Sequence, residues 1–346
     1  MHAVIDTQTV IDAITGDSAS FTQEDVSDLR GRTALITGGT KRIGFEVARA
    51  LALAKARVLV LSRKADHGDQ AVATIKEHDP TANVEFVELD LGDLAEVKEG
   101  ADRICKTEKR LDILVAGAGI GVNAFAHTAS SLDRHFGVNH LGHFLLINRL
   151  LPLIRSTAAR RDGAAPRIIT ISSELHRMAP SSVSFASPAE VTEDVHIGPT
   201  GYYARSKLAG ILFTRYSLLE RVIAPNRDHV FALAVHPGAV HTEQQEQFKE
   251  AYGQVLGTIV KSLTVPFMRT PEEGSLCALW AATSDEVEEK KLNGKYFTDP
   301  GQASEGSTQA QDPELGKSLW ELSELLVKQK LGNDALLPWD VAARDS

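Results

Sequence analysis

Tyr203 and Lys207 stand four positions apart in "YYARSK", a spacing that puts both side chains on one face of a helix. A phenol with an ordinary pKa of ~10 gives up its proton too reluctantly to cycle near neutrality. An ammonium beside it favours the phenolate and brings the acid toward its working range. Such a pair can protonate a carbonyl oxygen while hydride reaches the carbon. Tyr202 is the rival, but four residues on from it stands uncharged Ser206. Two more polar positions are Ser173, the second serine of "TISS", and Asn139 in "FGVNHLG". Singly, each has a plainer reading. A Tyr-Lys pair is often surface decoration, serines at a strand end are common turn residues, and a helical asparagine can simply bond a neighbouring loop. His140 and His143 have the i, i+3 spacing of metal ligands, but a site needs further ligands from elsewhere, and no metal is expected.

A second chemical signal lies in "LITGGTKRIGFEVARAL", residues 35–51. An apolar strand runs through the turn Gly38-Gly39-Thr40-Lys41-Arg42-Ile43-Gly44 into an amphipathic helix. A helix N-terminus preceded by such a turn favours anions, and Lys41 and Arg42 add positive charge. The next strand ends Leu61-Ser62-Arg63-Lys64, with no acid to accept from ribose hydroxyls, as an NAD site would require. Arg63 instead offers a planar fork suited to phosphate.

These residues need a scaffold, and the chain supplies an alternating one. Apolar runs "TALITGG", "RVLVLSR", "NVEFVELD", "LDILVAGAG", "RIITISS" and "VFALAVHPG" are separated by helical patterns of ten or more residues. That order predicts an α/β fold: a doubly wound parallel sheet with helices on both faces, a Rossmann fold in one domain. The strands are apolar throughout, as doubly buried parallel strands are. Ligands of such sheets lie at the carboxyl ends of the strands, which here are Thr37-Gly38, Ser62-Arg63, Asp90-Leu91, Ala116-Gly117, Ser172-Ser173 and Pro237-Gly238.

The 346 residues are 43% hydrophobic and 24% charged, with material for a substantial core. A net charge of −9 argues against a generic nucleic-acid or anionic-membrane surface. Two cysteines, Cys105 and Cys277, exclude a disulfide framework and fit a reducing compartment. No apolar run approaches the ~18 residues of a membrane span, and no signal pattern opens the chain, so a cytoplasmic location is expected. Residues 1–29 read as an N-terminal extension, in which "FTQEDVSDL" suits a short helix, and residues 30–346 as the catalytic domain. Within it, 174–201 reads as a substrate loop, rich in Pro, Ser and Gly. Residues 243–270 carry apolar positions at helical spacing and suit a lid, and a helix is expected over about 313–330.

The glycine-rich turn, "FGVNHLG", "TISS" and "YYARSK" occur in the order and on the elements of the short-chain dehydrogenase/reductase family, which the chain resembles over roughly residues 30–330. "VNHLGHFLLINRLLP" and "GKYFTDPG…LGKSLWELSE" look like its retinol-dehydrogenase-like branch and related fungal light-induced alcohol dehydrogenases. The resemblance implies that Tyr203 is the acid and that Lys207 lowers its pKa and bonds the nicotinamide ribose. It implies that Ser173 bonds the substrate oxygen and that Asn139 holds a water of the proton relay. Cofactor contacts would come from Gly38, Thr40, Lys41, Arg42, Ile43, Gly44, Arg63, Asp90, Leu91, Ala116, Gly117, Pro237, Gly238, Val240 and Thr242, together with Tyr203 and Lys207. In the family, basic residues at 41 and 63 mark NADP(H) users. Family members commonly pair through the helices of Asn139 and Tyr203, which implies a homodimer or homotetramer. Two departures stand out. Arg42 takes the place of the middle glycine of T-G-x-x-x-G-x-G, and Ala116-Gly117-Ala118-Gly119 replaces the family's "NNAG". The expected activity is NADPH-dependent reduction of an aldehyde or ketone with hydrophobic bulk. The alternatives are an NAD-linked alcohol, steroid or retinoid dehydrogenase, and a catalytically silent nucleotide-sensing scaffold.

Overall fold

The structure is a computed structural model that describes residues 21–238 and 269–343. Its first six strands are β1 (Thr33–Thr37), β2 (Arg57–Ser62), β3 (Val84–Glu88), β4 (Ile113–Ala116), β5 (Arg167–Ile171) and β6 (Phe231–Val235). Two short strands follow, β7 (Tyr296–Asp299) and β8 (Gln302–Ser304). The sheet runs β3-β2-β1-β4-β5-β6-β7-β8, parallel except for the terminal β7–β8 hairpin. Its order reverses beside β1, between β2 and β4, the place where such sheets open a ligand crevice.

The strands are apolar at successive positions because each faces two cores. Leu35 of β1 packs into one, with Leu114 and Ala116 of β4. Ala34 and Ile36 enter the other, with Ile113 and Val115. On the second side lie helices α1 (Arg42–Leu53), α2 (Ala65–His78) and α6 (Pro271–Thr283). On the first lie α3 (Leu94–Thr107), α4 (134–160), α5 (198–226) and α7 (Pro313–Leu331). Helices α4 and α5 each contain a wider π-type stretch, Gly137–Leu141 and Phe213–Ile223. Asn139 sits in the first of these, a setting frequent at functional sites.

Several sequence expectations shift at their edges. "FTQEDVSDL" forms only the 3-10 turn Gln23–Asp25, and Phe21, Val26 and Leu29 are partly buried against the second core. The segment 174–201 is not a plain loop. It holds the 3-10 turn Glu174–Met178 and the short helix Ala189–Thr192, buries Phe185 and Val191, and enters α5 at Gly198. Helix α7 ends at Leu331. Val240, Thr242 and the lid expected at 243–270 lie outside the described residues, apart from Arg269 and Thr270.

Helices α4 and α5 are covered on their outer side by α7 and by residues 335–341. Asn148 exchanges two hydrogen bonds with the Leu337 backbone, at 2.9 and 2.8 Å. Arg155 grips Asp228 with two nitrogens and donates to the carbonyls of Trp339 and Val341. Phe144, Trp320 and Trp339 close the seam as an aromatic cluster. The helix pair expected to carry a subunit contact is thus packed in part against the chain's own C-terminal region. Among the described residues no helix is long and apolar enough to cross a membrane.

Candidate active site

The end of β1 turns sharply because Gly38 adopts φ +68°, and a Cβ there would stand 2.7 Å from the Ala118 Cα. Gly44 is equally constrained: its Cβ would meet the Gly38 carbonyl oxygen at 2.4 Å. Arg42, in the middle glycine's place, keeps a glycine-like backbone at φ 56°. The turn therefore retains its shape at a conformational cost on the order of 1 kcal/mol. Asp93, Thr270 and Asp312 cap helices α3, α6 and α7 with their side chains. Helix α1 has no side-chain cap and no acid in its first turn. Its first amides, beside Thr40, Lys41 and Ile43, suit an anion such as a nucleotide diphosphate. Lys41 and Arg63 are exposed, and neither has an ion-pair partner among the described residues. Asp90 accepts from the Gly92 amide at 2.8 Å, and Leu91 lies buried at the end of β3. Ala116, Gly117, Pro237 and Gly238 complete the row of strand ends.

The four residues expected to do chemistry converge beside that row. Ser206 lies between Tyr203 and Lys207 on α5, and its Oγ receives a hydrogen bond from Asn139 Nδ2 at 2.9 Å. The Ser206 hydroxyl itself donates to the Tyr203 carbonyl. Lys207 Nζ donates to the Ile171 carbonyl at 2.7 Å, two residues before Ser173. It also lies 5.7 Å from the centre of the Tyr203 ring. Burial pulls the Lys207 amine from 10.5 down to about 8. Ser173, itself buried, accepts from the Leu175 amide and caps the turn that follows β5. Tyr202 is occupied otherwise: its hydroxyl bonds Asp194, and burial, aided by that carboxylate, raises it to about 12.

Asn139 does more than the sequence suggested. Its Oδ1 accepts from the Ile120 amide at 2.7 Å and its Nδ2 donates to the Ile120 carbonyl at 3.0 Å. The side chain thus holds the segment after β4 as well as Ser206 on α5. The other end of that segment is held by Thr37, whose Oγ1 accepts from the amides of Gly117 and Ala118 at 2.9 and 3.0 Å. This pinning is what the missing asparagine of "NNAG" would otherwise be expected to supply. The two histidines with ligand-like spacing separate: His140 Nε2 meets Ser323 Oγ and His143 Nε2 meets Thr37 Oγ1, both at 2.8 Å. Among the described residues no cluster of three or more His, Cys, Asp or Glu side chains is placed to hold a metal.

A buried ionic knot, invisible in the sequence, fixes the entrance of α5. Arg205 and Asp133, both fully buried, pair at 2.9 Å, and His135 Nδ1 reaches the same carboxylate at 3.0 Å. Burial pushes the Asp133 carboxyl up, but the two basic partners outweigh it and hold it below the ordinary range. Arg205 also donates to the Glu190 carbonyl, tying the segment 174–201 to the helix that carries Tyr203.

Known proteins share this architecture. Residues 32–187 match the family model described as short chain dehydrogenase. The inferred mitochondrial oxidoreductase bli-4 of Neurospora crassa is 36% identical over 320 residues, 90% of this chain and 76% of that protein. Polyprenol dehydrogenase of Mus musculus is 34% identical over 84% of this chain and 82% of its own length. Human retinol dehydrogenase 14 is 32% identical, with 86% and 87% covered. A solved structure of an uncharacterised Mycobacterium paratuberculosis protein superposes with a TM-score of 0.66 at 28% identity, covering 89% of this chain and 97% of that one. With relatives this similar over most of its length, the chain belongs to the short-chain dehydrogenase family.

Proposed function

We propose that the protein is an NADPH-dependent reductase of an aldehyde or ketone with hydrophobic bulk, able to run in reverse as an alcohol dehydrogenase. The observation that carries this reading is the buried Lys207 amine beside the Tyr203 ring, drawn down to about 8. A bound NADPH would supply hydride to the carbonyl carbon. Tyr203 would donate the proton to the oxygen, Ser173 Oγ would hold that oxygen, and Lys207 would stabilise the phenolate that remains. Asn139 keeps α4 and α5 in register through Ser206. The uncapped α1 terminus would receive the diphosphate, with Lys41, Arg42 and Arg63 beside the adenosine 2′-phosphate. A bulky apolar substrate accords with the polyprenol and retinol dehydrogenases among the relatives. A reducing, cytoplasmic setting is part of the same proposal, in keeping with a chain that has two cysteines in 346 residues.

Cofactor choice is tested by titrating NADPH and NADH against the wild type and a Ser62→Asp/Arg63→Ala variant. Two charge-assisted bonds to the 2′-phosphate, at about 1.5–3 kcal/mol each, give a preference for NADPH of a hundredfold or more. The variant loses a phosphate donor, gains a ribose acceptor and reverses the order. Equal affinity of the wild type for both nucleotides would refute the assignment. The substrate class is tested by NADPH oxidation with aldehydes and ketones of increasing apolar size.

A further inference from the structure

We infer that His143 is a positioning residue whose ring links the main-chain carbonyl of Asn139 to the Thr37 hydroxyl, the two residues that hold the segment 117–120, and so sets the width of the cofactor crevice beside β1. The inference deepens the proposed oxidoreductase reading and rests on it for its functional part.

The ring nitrogens have partners that fix the tautomer. Nδ1 lies 3.2 Å from the Asn139 carbonyl oxygen, which can only accept, so Nδ1 carries the hydrogen. Burial holds the imidazole far below its ordinary value, at about 4, so it is neutral and Nε2 is bare. Among the described residues Nε2 has one hydrogen-bond partner, Thr37 Oγ1 at 2.8 Å, so the hydroxyl must donate to it. The Val115 carbonyl, at 3.3 Å, competes less well for that single proton. With its proton committed, the Thr37 oxygen has two lone pairs left, and the Gly117 and Ala118 amides take both. The opposite tautomer would set a bare Nδ1 against a carbonyl and ask one hydroxyl oxygen to accept three hydrogens. It is excluded by counting.

The chain of bonds therefore runs from Asn139 through His143 and Thr37 to Gly117 and Ala118. Asn139 holds the far end of the same segment at Ile120. Ala118 is the residue against which Gly38 packs, so the chain sets the separation of the glycine-rich turn and the β4 end. Ala116 has no side chain able to do this, and His143 with Thr37 replaces it.

Two readouts decide the matter. In 15N-labelled, cofactor-free protein, His143 should show the Nδ1–H tautomer at neutral pH, and His143→Phe should shift the Gly117 and Ala118 amide resonances. In cofactor titration, His143→Phe should weaken NADPH about tenfold, with kcat falling less than the affinity. Thr37→Val, which deletes the hydroxyl at constant shape, should do the same, and Thr37→Ser should restore wild-type affinity. An Nε2–H tautomer, or unmoved Gly117 and Ala118 amides, overturns the bond chain. Unchanged affinity in both His143→Phe and Thr37→Val overturns the positioning role. Should the wild type bind neither nucleotide, the oxidoreductase reading falls, while the tautomer and amide shifts still decide the chain.

Discussion

Lys207 should make the cofactor-free protein more stable as the solution becomes alkaline. Its ammonium is buried with one carbonyl partner, and burial lowers it from 10.5 to about 8 in the folded state. Between these values the unfolded chain holds a proton that the folded chain has released. Stability therefore rises with pH across that window, by about 1.4 kcal/mol per unit at most. Between pH 7 and 10 the gain is about 2–3 kcal/mol, and below pH 8 the burial penalty is felt in full. Tyr202 acts in the opposite sense: raised to about 12, it contributes stability below 10 that is lost as pH climbs toward 12. The comparison must therefore be a difference. Urea denaturation of the wild type and Lys207→Met at pH 7, 8, 9 and 10 isolates the lysine, because the other groups are common to both. The wild type should gain about 2–3 kcal/mol on the variant across the series. Parallel curves would mean that Lys207 is not depressed, and the account of how it tunes Tyr203 would fail with it.

Three further outcomes are expected. Tyr203→Phe should cut turnover by about 10²–10⁴-fold with cofactor affinity nearly unchanged, read by steady-state kinetics and fluorescence titration. Gly44→Ala puts a methyl 2.4 Å from the Gly38 carbonyl, so the turn must open. It should destabilise by about 1–3 kcal/mol and weaken NADPH at least tenfold, as calorimetry can measure. Arg155→Ala strands the largely buried Asp228 and frees two carbonyls, and should cost about 3 kcal/mol in urea denaturation without changing kcat.

The parts of the fold that were legible are those in which local pattern and tertiary role coincide. Leu35 and Ile36 bury opposite faces of one strand, and the apolar run states both facts at once. Tyr203 and Lys207 were readable because an interval of four is itself helix geometry. Strands β7 and β8 are four and three residues long, too short to carry a period. The stretch around Cys277 reads as helical, and helix α6 spans Pro271–Thr283 there. The Arg205–Asp133 pair spans 72 positions, and nothing in either residue announces full burial. Thr37 and His143 are 106 apart, so their contact exists only once β1 and α4 are packed. Thr37 was read as a strand end and His143 as half of a possible metal pair. Their joint task followed from neither reading.

The strap of residues 335–341 across α4 bears on how the protein is made. Asn148 bonds a backbone 189 positions later, and Arg155 reaches carbonyls 184 and 186 positions later. At about 5–20 residues per second, a ribosome needs on the order of ten to forty seconds to deliver that cover. During this interval the helix carrying Asn139 and His143 has left the ribosome with Phe144 and its neighbours still open to water or to a chaperone. The sheet's first four strands can assemble in that time, but the outer side of α4 cannot be sealed. Maturation of the candidate site thus waits on a segment that contributes no residue to it, and nascent chains stalled before residue 335 should be the ones that chaperones retain.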